Sequence, residues 1–468
     1  MSMSGPSSQD PALSTLLFSS ASRSISTFTR ASSRSKLSVS SRLRSIQHDA
    51  TFVSSVATRS GLPLIANERC GSWYIPPLDK AGSAYFKSTD GHFGQWSFSL
   101  RRVNVQVLRL VGERGGCVLV DSTRRGKSVP DALAKTVPIW AAVWNRVLFP
   151  DRKDAHELRT PRDVVSESEH AQIEARLDGF VRDLKGLEID ITGVKLDRPL
   201  KAIWVTQATV GQLDGALRAA REEEMYPLVL CTASGNDVRE TEGDYDYVQG
   251  AADDAEAWAC GLKPDVFWNN IEPLMACDED GLPDMIVALV EKAASIHGQR
   301  SGQAAPVRIL PTNSIWVGTG TESEQDWDIV IDLRQGQVVS PACEKSTNQP
   351  ESPRRKTIFA PLEHGKLGSR ALRRVLPTIL GDVEAALATK PESRTLVVCD
   401  TGKDHSVGVA LAILCLFTHS DGQIMPLPRR HGVDKDFIKK KLGWIVVCIP
   451  DANPSRATLQ SVNAVLLG

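Results

Sequence analysis

Two stretches in the N-terminal half crowd more functional groups together than folding requires. In AYFKSTDGHFGQWSFSLRRVN, Lys87, Ser88, Thr89, Asp90, His92 and Gln95 surround a turn holding Gly91 and Gly94, and Arg101 and Arg102 follow. In GGCVLVDSTRRGKSVPDALAKT, an apolar run delivers Asp121, Ser122, Thr123, Arg124, Arg125, Gly126 and Lys127 into a loop before a helical pattern. Arg and Lys neutralise phosphate, hydroxyls and N–H groups orient it, and carboxylates hold Mg²⁺ or sugar hydroxyls. The types therefore point to a phosphate-rich ligand with Asp90, His92 and Asp121 as its acid–base candidates. Taken singly, each Arg reads as a solvated surface charge and His92 as a satisfied turn histidine; the clustering favours a site.

A third constellation lies in TLVVCDTGKDHSVGVALAILCLF, where an apolar strand, a short polar loop and an apolar helix follow one another. Backbone N–H groups at a helix N-terminus hold anions, and Gly402 permits close backbone approach. The loop Cys399, Asp400, Thr401, Gly402, Lys403, Asp404, His405 and Ser406 resembles the phosphate loop of dual-specificity phosphatases, with Cys399, Gly402 and Ser406 in register. His405 stands where the phosphate-gripping Arg belongs and Val398 precedes the Cys, so the elements that activate a thiolate and bind a phosphoryl group are missing. The expectation is a phosphate cradle without hydrolytic chemistry; the bland reading is a turn that binds nothing.

These loops need elements to position them. Strand signals in YFKS, WSFSL, GCVLVD, KAIWVTQ and PLVLCTA alternate with helical runs, and IWVG, DIVIDL, TIFAPL and TLVVCD repeat the alternation after the linker HGQRSGQAAP. That predicts an α/β fold in two domains. A Ser-rich basic tail occupies 1–35, a catalytic domain 36–300 beginning with a helix near 36–58, and a smaller phosphatase-like α/β domain 301–468. A chain of 468 residues exceeds what one core usually holds. With 41% apolar and 24% charged residues and no apolar run near the ~20 residues of a membrane span, no crossing is expected. Nine irregularly spaced cysteines fit neither a disulfide framework nor a zinc site, which implies a reducing compartment. Basic residues without an acid between Asp10 and Asp49 suit a transit peptide or an RNA-attracting arm; cytoplasm is favoured.

Several strings together resemble the initiator-tRNA ribosylphosphate transferases: SIQHDATFV, NERCGSWYIPP, FKSTDGHFGQW, VDSTRRGKSVPDALAKTVPIW, YVQGAADDAEAWACGL, CDTGKDHSVGVALAILC and PDANPSRATLQSVN. The resemblance runs from about residue 45 to the C-terminus. It implies transfer of a 5-phosphoribosyl group from phosphoribosyl pyrophosphate to the ribose 2′-hydroxyl of adenosine 64 in initiator methionine tRNA, which keeps that tRNA out of elongation. Mg²⁺ is the expected cofactor and a monomer the expected state. Lys87, Ser88, Thr89 and Ser122 to Lys127 would bind the donor. The net charge of −1 requires tRNA to be held by local patches, for which Arg101, Arg102, Arg429, Arg430, Lys439, Lys440, Lys441 and Arg456 are the candidates. Duplex RNA shows its 2′-hydroxyls in a shallow minor groove, so recognition by shape and phosphates is expected. The alternatives are a non-catalytic tRNA-binding protein with an inactive phosphatase-like domain, and an active RNA or protein phosphatase.

Overall fold

A computed structural model describes residues 38–89, 94–124, 126–235, 245–299, 305–320, 326–335, 355–429 and 431–468. Helix α1 (Val39–Ser60) starts on Ser38, whose hydroxyl accepts from the Ser41 N–H, and stops on Gly61 in the left-handed region. Its stripe of Leu43, Ile46, Val53 and Val56 is buried at helical spacing.

Five parallel strands follow: β1 (Leu64–Asn67), β2 (Lys80–Ala84), β3 (Cys117–Asp121), β4 (Leu200–Val205) and β5 (Tyr226–Thr232), in the spatial order β2-β1-β3-β5-β4. All carboxyl ends therefore lie along one edge. The order reverses direction between β1 and β3, the place where open α/β sheets bind ligands. Helix α2 (Val105–Arg114) precedes β3, a π-helical turn (Ala132–Thr136) leads into α3 (Val137–Leu148), α4 (Leu213–Glu222) joins β4 to β5, and α5 (Leu282–Gln299) ends this half.

The second sheet contains β6 (Val307–Arg308), β7 (Ile315–Gly318), β8 (Ile329–Asp332), β9 (Lys356–Phe359) and β10 (Thr395–Val398), in the order β6-β7-β10-β8-β9. Only β6 is antiparallel within it. Helices α6 (Gly365–Thr389), α7 (His405–Phe417), α8 (Lys435–Cys448) and α9 (Arg456–Leu466) complete it. α7 is buried on nearly every side, which explains why it is apolar all round. The α/β class and the two sheets match the sequence expectation. The two halves also share one continuous hydrophobic core, because α8 packs Gly443 against Leu187 and Ile189 and Lys440 pairs with Glu188.

Two expected strands are absent. Residues 85–88 and 96–100 are irregular, although Phe86, Trp96 and Phe98 are buried. Side-chain amides replace a neighbouring strand there: Asn67 Oδ1 accepts from Phe86 N–H at 2.8 Å and Asn104 Oδ1 from Tyr85 N–H at 2.9 Å. Aromatic content alone does not separate such a loop from a strand.

Candidate functional site

The carboxyl end of β3 delivers Asp121, and the pairing of β3 with β1 sets Asn67 beside it. Asn67 Nδ2 donates to Asp121 Oδ2 at 2.8 Å, while Asp121 Oδ1 receives the Cys70 thiol at 2.9 Å, the Ser122 N–H at 2.8 Å and Arg69 Nη2 at 2.9 Å. Arg69 also reaches the Ser122 carbonyl and sets Nη1 3.1 Å from Asp253 Oδ1. Asp253 passes the contact on: its Oδ2 lies 3.4 Å from Arg124 Nε, and Arg124 Nη2 donates to Asp254 at 2.7 Å. A chain of alternating carboxylates and guanidiniums thus crosses the switch point between β1 and β3. Asp121 and Asp253 are buried, and the Arg124 side chain is 60% exposed.

The loop bearing Asp253 comes in tightly. Gly250 has φ 65°, and a Cβ there would sit 2.5 Å from the Thr123 carbonyl, so only glycine allows this approach. Ser234, after β5, accepts from Thr123 N–H and donates to its carbonyl. Further along the edge, Lys127 pairs with Asp131 at 3.2 Å, Asp131 accepts from Thr89 at 3.3 Å, and Lys135 bridges Asp131 and Glu169. The two N-terminal polar stretches meet at Asp131.

Of the residues singled out from sequence, Lys87, Ser88, Thr89, Asp121, Ser122, Thr123, Arg124, Gly126 and Lys127 follow the carboxyl ends of β2 or β3, which flank β1 on the same sheet edge. Asp90, His92, Arg125 and Arg430 lie outside the described residues. Asp121 is fully buried, and its oxygens accept from Asn67, Arg69, Cys70 and Ser122, an arrangement that suits holding a guanidinium. It orients Arg69. Arg69, Asn67, Cys70, Asp253 and Asp254 were missed as site residues, although NERC and GAADD stand in the sequence with the chemistry in plain view.

Arg101 and Arg102 join the two halves. Arg101 Nη2 donates to the Pro454 carbonyl at 2.7 Å, and Arg102 Nη1 donates to the carbonyls of Pro450 and Ala452 at 3.0 and 2.7 Å. These bonds tie both residues to the second half, and Arg101 remains exposed beyond its one bonded nitrogen. The basic region near the C-terminus needs revision. Lys441 has 0% exposure, donates to Thr418 Oγ1 and the His419 carbonyl, and lies 3.5 Å above the Trp444 ring; burial pushes it down to about 7. It cannot touch a phosphate. Lys440 is largely covered and paired with Glu188, and Arg429 stacks on Phe437 while donating to the Thr418 carbonyl. Lys439 and Arg456 are exposed.

The loop after β10 has the expected strand, turn and helix, with Gly402 at φ 66°. Its side chains are turned to internal duties. Cys399 is buried with its Sγ 3.0 Å from Ser406 Oγ; His405 is buried with Nε2 3.4 Å from Ser369 Oγ, and burial lowers its pKa below the usual imidazole value. Asp404 accepts from Ser455 N–H at 2.9 Å and from Thr458 Oγ1, Lys403 pairs with Asp451 at 2.7 Å, and Asn453 N–H donates to the Lys403 carbonyl. The loop thus holds the segment Pro450–Arg456, which in turn accepts Arg101 and Arg102. His405 lies buried against Ser369 of α6.

Comparison with known proteins matches each half of the chain to a separate family model. A family model described as the Rit1 N-terminal domain matches residues 33–291, and one described as the Rit1 DUSP-like domain matches residues 356–466. A tRNA A64-2′-O-ribosylphosphate transferase of Saccharomyces cerevisiae is 33% identical over 480 residues, covering 92% of each chain. An uncharacterised Schizosaccharomyces pombe protein is 35% identical over 447 residues, covering 91% of this chain and 93% of its own. Among solved structures, human DUSP28 aligns with 35% of this chain and 94% of its own at 17% identity and a TM-score of 0.25. The Yvh1 phosphatase domain of Chaetomium thermophilum covers 34% of this chain and 94% of its own at 16% identity and 0.24.

Proposed function

We propose, since this chain belongs to the Rit1 family through both of its domains and through one-third identity to a yeast member along nearly its full length, that it is a tRNA 2′-O-ribosylphosphate transferase. It moves a 5-phosphoribosyl group from phosphoribosyl pyrophosphate to the ribose 2′-hydroxyl of adenosine 64 in initiator methionine tRNA, and so withholds that tRNA from elongation. One observation carries the reading at the level of residues: two guanidiniums, Arg69 and Arg124, are held on Asp121 and Asp253 at the switch point of a parallel sheet, with Lys127 beyond them.

Displacement of pyrophosphate from an anomeric carbon builds positive charge on the ribose and negative charge on the leaving group. Cations fixed before the reaction stabilise that leaving charge without reorganising, which makes them the largest expected catalytic contribution. Arg124 and Lys127 have exposure enough to reach a ligand, whereas Arg69 is the anchored member that fixes their frame. With Asp121 holding Arg69, the base role falls to Asp90 or His92, in the stretch that follows Thr89. No group of three or more possible metal ligands occurs among the described residues, and Arg69 already occupies Asp121 and Asp253. Mg²⁺ fits this reading as an ion carried on the pyrophosphate oxygens of the donor.

No helix among the described residues is long and apolar enough to cross a membrane. The described cysteines are free thiols, as suits a reducing compartment, and we place the protein in the cytoplasm as a monomer. The deciding experiment incubates purified protein with initiator tRNA transcript and phosphoribosyl pyrophosphate. One ribosylphosphate per tRNA is expected, and none on a transcript with a 2′-deoxyadenosine at position 64. Equal labelling of both transcripts, or none of either, overturns the assignment.

A further inference from the structure

At the carboxyl end of β2, beside the residues placed at the donor, lies a cavity of about 120 Å³ that the transfer chemistry has not used. Larger hollows exist, near Lys195 and Asp197 at the opposite edge of the sheet and near Trp204 and Leu213, but neither adjoins the polar cluster. Tyr85, Phe86, Phe98 and Trp140 form its aromatic wall. Phe86 meets Trp140 edge-on at 5.4 Å, and the Trp140 indole N–H is spent on the Val103 carbonyl, so these rings present carbon faces and edges. Ser97, Ser99 and Thr136 add hydroxyls, and Lys87 sets an exposed ammonium at the rim.

Two further contacts give the cavity a defined shape and place. Arg102 closes one side with its guanidinium 4.7 Å from the Tyr85 ring centroid, held there by the carbonyls of Pro450 and Ala452 from the second domain. Thr89, also in the lining, is hydrogen-bonded to Asp131, the partner of Lys127. One side chain thus separates the cavity from the donor cations. An aromatic-walled cavity with hydroxyls around it and a cation at its mouth suits a planar heterocycle carrying a phosphate.

We propose that this cavity receives one unstacked base of the RNA acceptor, with Lys87 on the adjoining phosphate. The inference rests on the transferase reading and goes past it, since it replaces recognition of an intact stem with extrusion of a nucleotide beside the donor. Extruding a base costs less where its pairing is already broken, and a protein that captures the extruded base binds a mismatched target more tightly than a paired one. The second domain has a part in this through Arg102, whose position it fixes.

The test is equilibrium binding without donor, using hairpin RNAs of the TψC stem with position 64 either paired or mismatched, and adenosine 5′-monophosphate as a competitor. Wild-type protein is expected to prefer the mismatched hairpin and to lose it to the mononucleotide. Ser99→Phe, which fills the slot without removing a side-chain hydrogen bond, is expected to weaken hairpin binding about tenfold and abolish both effects. Ser97→Phe repeats the test from an exposed position should the first variant fail to fold. Equal binding of the two hairpins by wild type, survival of the preference in both folded variants, or displacement of the mononucleotide by phosphoribosyl pyrophosphate each overturns the proposal. Because no turnover is read, a protein that shows the preference but transfers nothing refutes the transferase reading and leaves the base pocket standing.

Discussion

Each half of the molecule carries a parallel strand that ends in a polar loop before a helix, and the two loops have been put to opposite uses. After β3, buried carboxylates serve as anchors, so that Asp121 and Asp253 hold Arg69 and Arg124 at the sheet edge with charge still facing outward. After β10, Cys399 and His405 are buried and Asp404 and Lys403 bond to the segment that follows α8, while Asp400 and Thr401 stay at the surface. Asp404 caps the Ser455 turn, Lys403 takes Asp451, and His405 packs under Gly368 of α6, where any Cβ would crowd its ring. A strand, a glycine turn and a helix N-terminus thus recur in both halves, and the partners of their side chains distinguish the two loops.

The sharpest way to break this contrast is to remove the anchor of the first loop. Arg69→Ala leaves two buried carboxylates without their shared cation, and the expected cost is ~3–5 kcal/mol of stability together with loss of transfer. Urea unfolding of wild type and variant measures it. A variant of unchanged midpoint would show that the Asp121 and Asp253 charges are compensated elsewhere and that the chain of ion pairs has no structural weight.

Arg124→Ala tests the outward-facing member. Its side chain is mostly exposed, so the fold should survive, while loss of a charge-assisted phosphate contact should cost ~1.5–3 kcal/mol in the transition state, about ten- to 150-fold in kcat/KM for the donor. Lys127→Ala should behave alike. Wild-type kinetics in both would detach this loop from the donor.

The second half offers a pH readout of burial. Lys441 titrates at about 7 in the folded chain because burial disfavours its charge, against ~10.4 when unfolded. Between those values the unfolded chain binds more protons, so this lysine's contribution makes stability rise as pH climbs from 7 toward 10 and levels off below 7, where both states carry the proton. Subtracting the pH profile of Lys441→Met from that of wild type isolates it. A flat difference would mean that Thr418, His419 and the Trp444 ring keep the ammonium charged throughout. By contrast Cys399→Ser should cost less than ~1 kcal/mol and leave transfer almost intact, because the buried thiol only meets Ser406 and Thr401. Hydrolysis of an aryl phosphate that vanished in this variant would restore the phosphatase reading.

How much of this was legible follows the same division. The buried runs CVLVD, PLVLCT and TLVV and the capped helix over 39–60 could be read from local pattern, since their hydrophobicity and end signals agree with their burial. Local pattern could not show direction: which partners Asp121 takes, that Arg101 and Arg102 reach residues 450–454, or that Lys441 turns inward after two lysines that stay at or near the surface. Those depend on contacts from 22 to 353 positions away, which no local period encodes. Arg69 and Asp253 escaped notice for the same reason, each lying far in sequence from the partner that makes it a site residue.

The smallest expected effect belongs to the basic run itself. Lys439, Lys440 and Lys441 are consecutive and look equivalent, yet α8 sends them in three directions: Lys439 to solvent beside Asp436, Lys440 across the domain boundary to Glu188, and Lys441 into the core. If the first domain holds the donor and the acceptor nucleotide, the rest of the tRNA can still lie over exposed charge on the second. Neutralising the run as a block would confound those roles, since the loss of Lys441 acts through stability and the loss of Lys440 through the domain boundary. Lys439→Ala alone should leave stability within ~0.5 kcal/mol and lower the salt dependence of tRNA binding by at most about one unit of slope, the signature of a single phosphate contact. Titrations of tRNA at several salt concentrations against this variant and Arg456→Ala separate the cases. A drop of about one unit in either marks that residue as part of the RNA track; slopes equal to wild type in both would move the track off this face and leave the second domain with the task of holding Arg102 at the cavity.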